Sequence, residues 1–86
     1  MNIRVEMFGM ARHVTSRKNI DITLSDGATV GELISGLSVM CPELVGTVIS
    51  EDCQGLIEPN IINIDGRNSV TNSNYKLSDG ESVCLM

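Results

Sequence analysis

The stretch TVGELISGLSVMCPEL, residues 29–44, decides the fold, because its apolar period differs from that of the segments on either side. Val30, Leu33, Ile34, Leu37 and Met40 fall at i, i+3, i+4, i+7 and i+10, which is one stripe along a helix. Thr29 followed by Glu32 is a capping-box arrangement, in which the Thr side chain accepts from the N3 amide while the Glu reaches back. Gly31 and Gly36 each cost about 1 kcal/mol against Ala in a helix. Their presence on a helix predicted to lie across a sheet implies close approach between the two. Pro42 is expected to end the helix near Cys41.

The flanking segments carry a period of two. In NIRVEMF (2–8), Ile3, Val5 and Met7 face one way and Asn2, Arg4 and Glu6 the other; in NIDITL (19–24), Ile20, Ile22 and Leu24 share a face. The connection GMARHVTSRK (9–18) holds Arg12, His13, Arg17 and Lys18 and reads as a long hairpin loop. After the helix, Leu44, Val45, Val48 and Ile49 are apolar without clean alternation, and EDCQG (51–55) reads as an acidic loop. Ile62 and Ile64 mark a third strand before the turn dipeptide Asp65-Gly66. SVTNSNYKL (69–77) reads as a loop with a short helical turn, anchored by Tyr75 and Leu77, and Ser82–Met86 as a last strand with Val83 and Leu85 inward. The order β-β-α-β-(short)-β describes an α+β domain with one long helix across one face of a mixed sheet of four to five strands. A helix between the second and third strands, with the last strand returning to pair with the first, is typical of the β-grasp, or ubiquitin-like, topology.

Bulk properties narrow the function. Eighty-six residues make one domain, 1–86, with no room for a second core. The net charge of −5, with one Phe, one Tyr and no Trp, argues against nucleic acid or an anionic membrane as partner. No apolar run approaches the length of a membrane span, and the N-terminus alternates like a strand rather than a signal peptide, so a cytoplasmic location is expected. Cys41, Cys53 and Cys84 are widely spaced without a C-x-x-C pair, and Glu51, Asp52 and Glu58 lack the spacing of a calcium loop. Neither a metal nor another cofactor is expected.

Four motifs in order resemble the MoaD/ThiS family of ubiquitin-like sulfur carriers. MFGMAR (Met7 to Arg12) resembles the family's first-strand exit, where Phe is followed four residues later by Arg. LSDGATVGELISGLSVMCPEL (Leu24 to Leu44) resembles its strand end, turn, capped helix and trailing Pro-Glu-Leu; NIDGRN (Asn63 to Asn68) resembles its Val-Asn-Gly-Arg turn. LSDGESVCLM (Leu77 to Met86) resembles its final strand. The Phe-to-Arg motif and the long helix place the resemblance nearer the small subunit of molybdopterin synthase.

The resemblance implies a carrier that is a cosubstrate, at most the non-catalytic subunit of a sulfur transferase, with no catalytic residue of its own. Its implied partners are the large subunit of molybdopterin synthase and an ATP-dependent adenylating enzyme. Phe8, Arg12, Leu85 and Met86 are the candidate partner-interface residues; for Phe8 and Leu85 a place in the core explains them as well, and for Met86 a frayed end does. The family carries sulfur on a flexible tail ending in Gly-Gly, which threads a narrow active site where a Cβ would clash. No Gly-Gly occurs in this sequence, and Met86 falls where the last strand would hand over to the tail. As written, the chain is not expected to act as a carrier. Two readings follow: a sulfur carrier whose tail is missing from these 86 residues, or a tail-less ubiquitin-like interaction module without acyl chemistry.

Overall fold

A computed structural model describes residues 1–66, 68–70 and 72–86. Five strands form one sheet: β1 (Asn2–Met7), β2 (Asn19–Thr23), β3 (Ile62–Ile64), β4 (Asn68–Val70) and β5 (Ser82–Leu85), in the order β2-β1-β5-β3-β4. The β1–β5 pair is parallel and the other pairs are antiparallel, so the last strand lies beside the first at the middle of the sheet. The expected β-grasp arrangement is therefore present. Helix α2 (Val30–Met40) packs on one sheet face, with Val30, Leu33, Ile34 and Leu37 buried against Ile3, Val5, Ile20, Ile22, Ile62, Ile64, Val83 and Leu85.

The start of α2 is satisfied group by group. Thr29 Oγ1 accepts from the Glu32 amide at 3.2 Å, the first half of the capping box, while the Glu32 carboxylate reaches back to accept from the Thr29 hydroxyl at 3.5 Å. The amides of Val30 and Gly31 donate to the carbonyls of Tyr75 and Ser73, each at 2.9 Å, so the segment before β5 closes the orphan donors of the helix. Thr29→Ala should therefore lower stability by about 1 kcal/mol in a urea titration. Gly36 is the close approach anticipated from sequence: a Cβ there would stand 2.6 Å from Ile22 Cδ1. A 3-10 turn, Pro42–Leu44, follows α2 and buries Leu44, whose carbonyl then accepts from the amides of Thr47, Val48 and Ile49.

Four expectations need correction. The 9–18 connection is not an open loop: Gly9–Thr15 forms α1, which seats Ala11 in the core against the Pro42–Leu44 turn. It stops at Ser16, whose φ of 56° is left-handed and whose amide returns to the Arg12 carbonyl. Met40, placed in the apolar stripe by spacing, is 44% exposed because the helix ends there and turns from the sheet. Residues 68–70 form an edge strand rather than a loop, because Asp65 and Gly66 both take positive φ (55° and 68°), the turn that folds a chain back on itself. Tyr75 contributes a backbone carbonyl and leaves its ring exposed, whereas Leu77 is buried as expected.

Candidate functional site

The sheet face opposite α2 carries the candidate site, and strand register arranges it in rows. Ile3, Val5 and Met7 of β1, Val83 and Leu85 of β5, and Ile62 and Ile64 of β3 point to the core, so their neighbours point outward. Register aligns Glu6 with Cys84 and Cys84 with Asn63. One step further toward the ends of β1 and β5, Phe8 continues β1 in extended conformation (φ −133°, ψ 162°) and donates its amide to the Leu85 carbonyl at 2.9 Å. Met86 exchanges backbone hydrogen bonds with Ile61, 3.0 Å from Met86 N to Ile61 O and 2.6 Å in return. A polar row, Glu6–Cys84–Asn63, is thus followed by an apolar row, Phe8–Met86–Ile61.

The candidate interface residues separate on this geometry. Phe8 is 41% exposed and Met86 39% exposed, side by side on the outer face. Arg12 is exposed on α1, which begins directly after Phe8, and Met10 on the same helix leaves half its surface free. Leu85 does not belong to this surface: it is fully buried, because it shares the inward parity of Val83. Arg67, part of the NIDGRN resemblance, lies outside the described residues. Ile61 and Met10 were not anticipated as surface members. Ile61 could have been, since Ile62 and Ile64 facing inward force their neighbour outward.

The polar row has its own electrostatics. Burial pushes the Cys84 thiol up, and the Glu6 carboxylate, 4.0 Å from Sγ, adds to the shift. Asn63 Oδ1 is buried without a hydrogen-bond partner among the described residues. Cys84 should accordingly alkylate with iodoacetamide at pH 8 more slowly than free cysteine, with its rate still rising above the ordinary thiol range. Cys41, fully buried beneath the Pro42–Leu44 turn, is also pushed up, by burial and then by Glu43. A thiol whose ionisation is raised on folding lends stability below its unfolded value and loses it as pH rises, so alkaline solution erodes the Cys41 contribution. Among the described residues, no group of three or more His, Cys, Asp or Glu side chains could hold a metal ion, and no helix is long and apolar enough to cross a membrane.

Comparison with solved structures identifies the fold. SAMP1 from Haloferax volcanii superposes with a TM-score of 0.86 at 17% identity, covering 100% of this chain and 93% of that one. A putative molybdopterin converting factor, subunit 1, from Pyrococcus furiosus superposes with a TM-score of 0.77 at 26% identity, covering 98% and 93%. The chain has the fold of the MoaD/ThiS-like ubiquitin-like proteins. A third MoaD/ThiS-like structure, CysO of Amycolatopsis orientalis in its complex with BexX, gives a TM-score of 0.71 at 17% identity, covering 98% and 92%. No protein-family model and no curated protein matches the sequence. The row Phe8–Met86–Ile61 lies just past the C-terminal end of β5.

Proposed function

We propose that the protein is a ubiquitin-like sulfur carrier and, more narrowly, the small subunit of a molybdopterin synthase. The observation that carries this reading is β5, held between β1 and β3 and delivering Met86 to the outer face beside exposed Phe8. A strand held on both sides is a rigid platform, and an apolar row at its exit gives a partner something to grip. The order of four sequence motifs supports the same reading, and the likeness to the molybdopterin converting factor supports its narrower form.

On this reading Phe8, Met86 and Arg12 meet the partners, while Leu85 fixes the platform from below. The partners are the large synthase subunit, which supplies the catalytic residues, and an adenylating enzyme. The chemistry takes place on a C-terminal carboxylate, which is a poor acyl donor until ATP converts it to an adenylate with release of pyrophosphate. The terminal sulfur of a persulfide then attacks the adenylate and displaces AMP to give an acyl disulfide. A thiol cleaves its S–S bond, leaving the thiocarboxylate on the carrier and a disulfide as the oxidised product. The carriers do this on Gly-Gly, and no adjacent glycines occur among the 86 residues.

Two measurements test the proposal. Reading the coding DNA past the Met86 codon should show an in-frame extension to Gly-Gly; an immediate stop sinks the carrier reading. Incubating the native protein with an adenylating enzyme, ATP and a sulfur donor should then add about 16 Da at the C-terminus, oxygen exchanged for sulfur. An unchanged mass, where a known carrier is charged in parallel, favours an interaction module that uses the same face without acyl chemistry.

A further inference from the structure

Strand β2 is an edge of the sheet, and its register fixes which groups it leaves free. Met7 N donates to Lys18 O and Leu24 N to Met1 O, each at 2.8 Å, and these bonds bracket the β1–β2 ladder. Lys18, Ile20, Ile22 and Leu24 therefore direct their backbone groups at β1. Alternation along an antiparallel pair turns the N–H and C=O of Asn19, Asp21 and Thr23 outward. Three exposed residues thus offer a short row of donors and acceptors to another strand, with nothing among the described residues pairing them.

Charge is graded along this edge. Arg17 and Lys18 precede its Asn19 end. Glu32 lines the same surface depression as Thr23 at the other end and carries the negative charge there, since the nearby Asp26 is already paired with the Met1 ammonium at 3.6 Å. On the α2 side, Gly36 rests on Ile22. Val39 and Met40, three and four residues later and hence on the same side of the helix, are 79% and 44% exposed. A gradient from positive to negative is its own complement when turned end for end, and an antiparallel pairing of two identical edges performs that turn.

We propose that β2 pairs antiparallel with β2 of a second copy of this chain, about a twofold axis at Asp21, joining the two five-stranded sheets into one. Asn19 then lies opposite Thr23 of the second copy, and Lys18 is directed toward Glu32 of the second copy. The two Asp21 carboxylates meet near the axis, but each is already held by its own Arg4 at 3.0 Å, so two neutral pairs approach rather than two bare anions. The Phe8–Met86–Ile61 row lies beyond the ends of β1, β5 and β3 and not on β2, so pairing at the β2 edge leaves the candidate carrier face open. The inference is independent of the carrier reading.

Sedimentation equilibrium from about 10 μM to about 1 mM tests it. The mass should rise from 9.3 kDa toward twice that value, and the amides of Asn19, Asp21 and Thr23 should become protected from hydrogen exchange as it does. Lys18→Glu should weaken association about tenfold, since two copies of the contact change sign together. Glu32→Lys should do the same, and the double exchange K18E/E32K should restore association, because opposite charges again face each other across the axis. Each variant's amide spectrum establishes that the fold is retained. A chain that stays monomeric throughout the range overturns the proposal, as does a dimer indifferent to Lys18→Glu or one formed without protection of those three amides.

Discussion

Leu85→Ala should lower unfolding free energy by about 2–5 kcal/mol, measured by urea denaturation, while Phe8→Ala and Met86→Ala change it much less. Leu85 sits at the end of the central strand and is fully buried among side chains from β1, β3 and α2. Truncation removes three carbons and leaves a cavity that the surrounding sheet can close only in part. The central position sharpens the effect, since β5 has a hydrogen-bonded neighbour on both sides and cannot shift to fill the space. Phe8 and Met86, at 41% and 39% exposure, have less to lose. A small loss at Leu85 with large losses at the other two would place Leu85 on the surface and return it to the interface set.

Ala11→Glu should be comparably damaging, about 3–5 kcal/mol, whereas Met10→Glu one residue earlier should stay within about 0.5 kcal/mol. Ala11 is the one buried residue of α1 and packs toward the Pro42–Leu44 turn, where Cys41 and Leu44 are also fully buried. A carboxylate there would lose its water without gaining a partner. Met10 faces solvent, and an acid in the first turn of a helix is favoured by the helix dipole. Equal losses at both positions would mean that α1 does not dock through Ala11.

The contrast between those residues also shows how much of the structure was legible. Strands β1 and β2 and helix α2 were readable because each repeats its period enough times to stand out: three inward residues in NIRVEMF, four in the helix. Helix α1 has two turns and a single fully buried residue, so no period can form, and its basic residues look like those of a solvated loop. Strand β4 is a polar edge of three residues whose existence depends on the turn at Asp65-Gly66 and on pairing with β3, not on its own pattern. At the candidate site, alternation had already assigned Leu85 inward with Val83, which conflicts with a surface role, and alternation prevails. The joining of Phe8, Met86 and Ile61 was beyond local pattern altogether. It arises from β5 entering between β1 and β3, across more than fifty residues of intervening chain.

The parallel pairing of β1 with β5 has a mechanical consequence. The chain enters at one end of β1 and leaves at the opposite end of its neighbour, so tension between the two ends slides the strands along each other. Force in that direction loads the rungs between β1 and β5 together, instead of opening them one after another as in a zipper. A partner that pulls on Met86 would therefore load the β1–β5 rungs in shear, with the Ile61–Met86 bonds sharing the load from the other side.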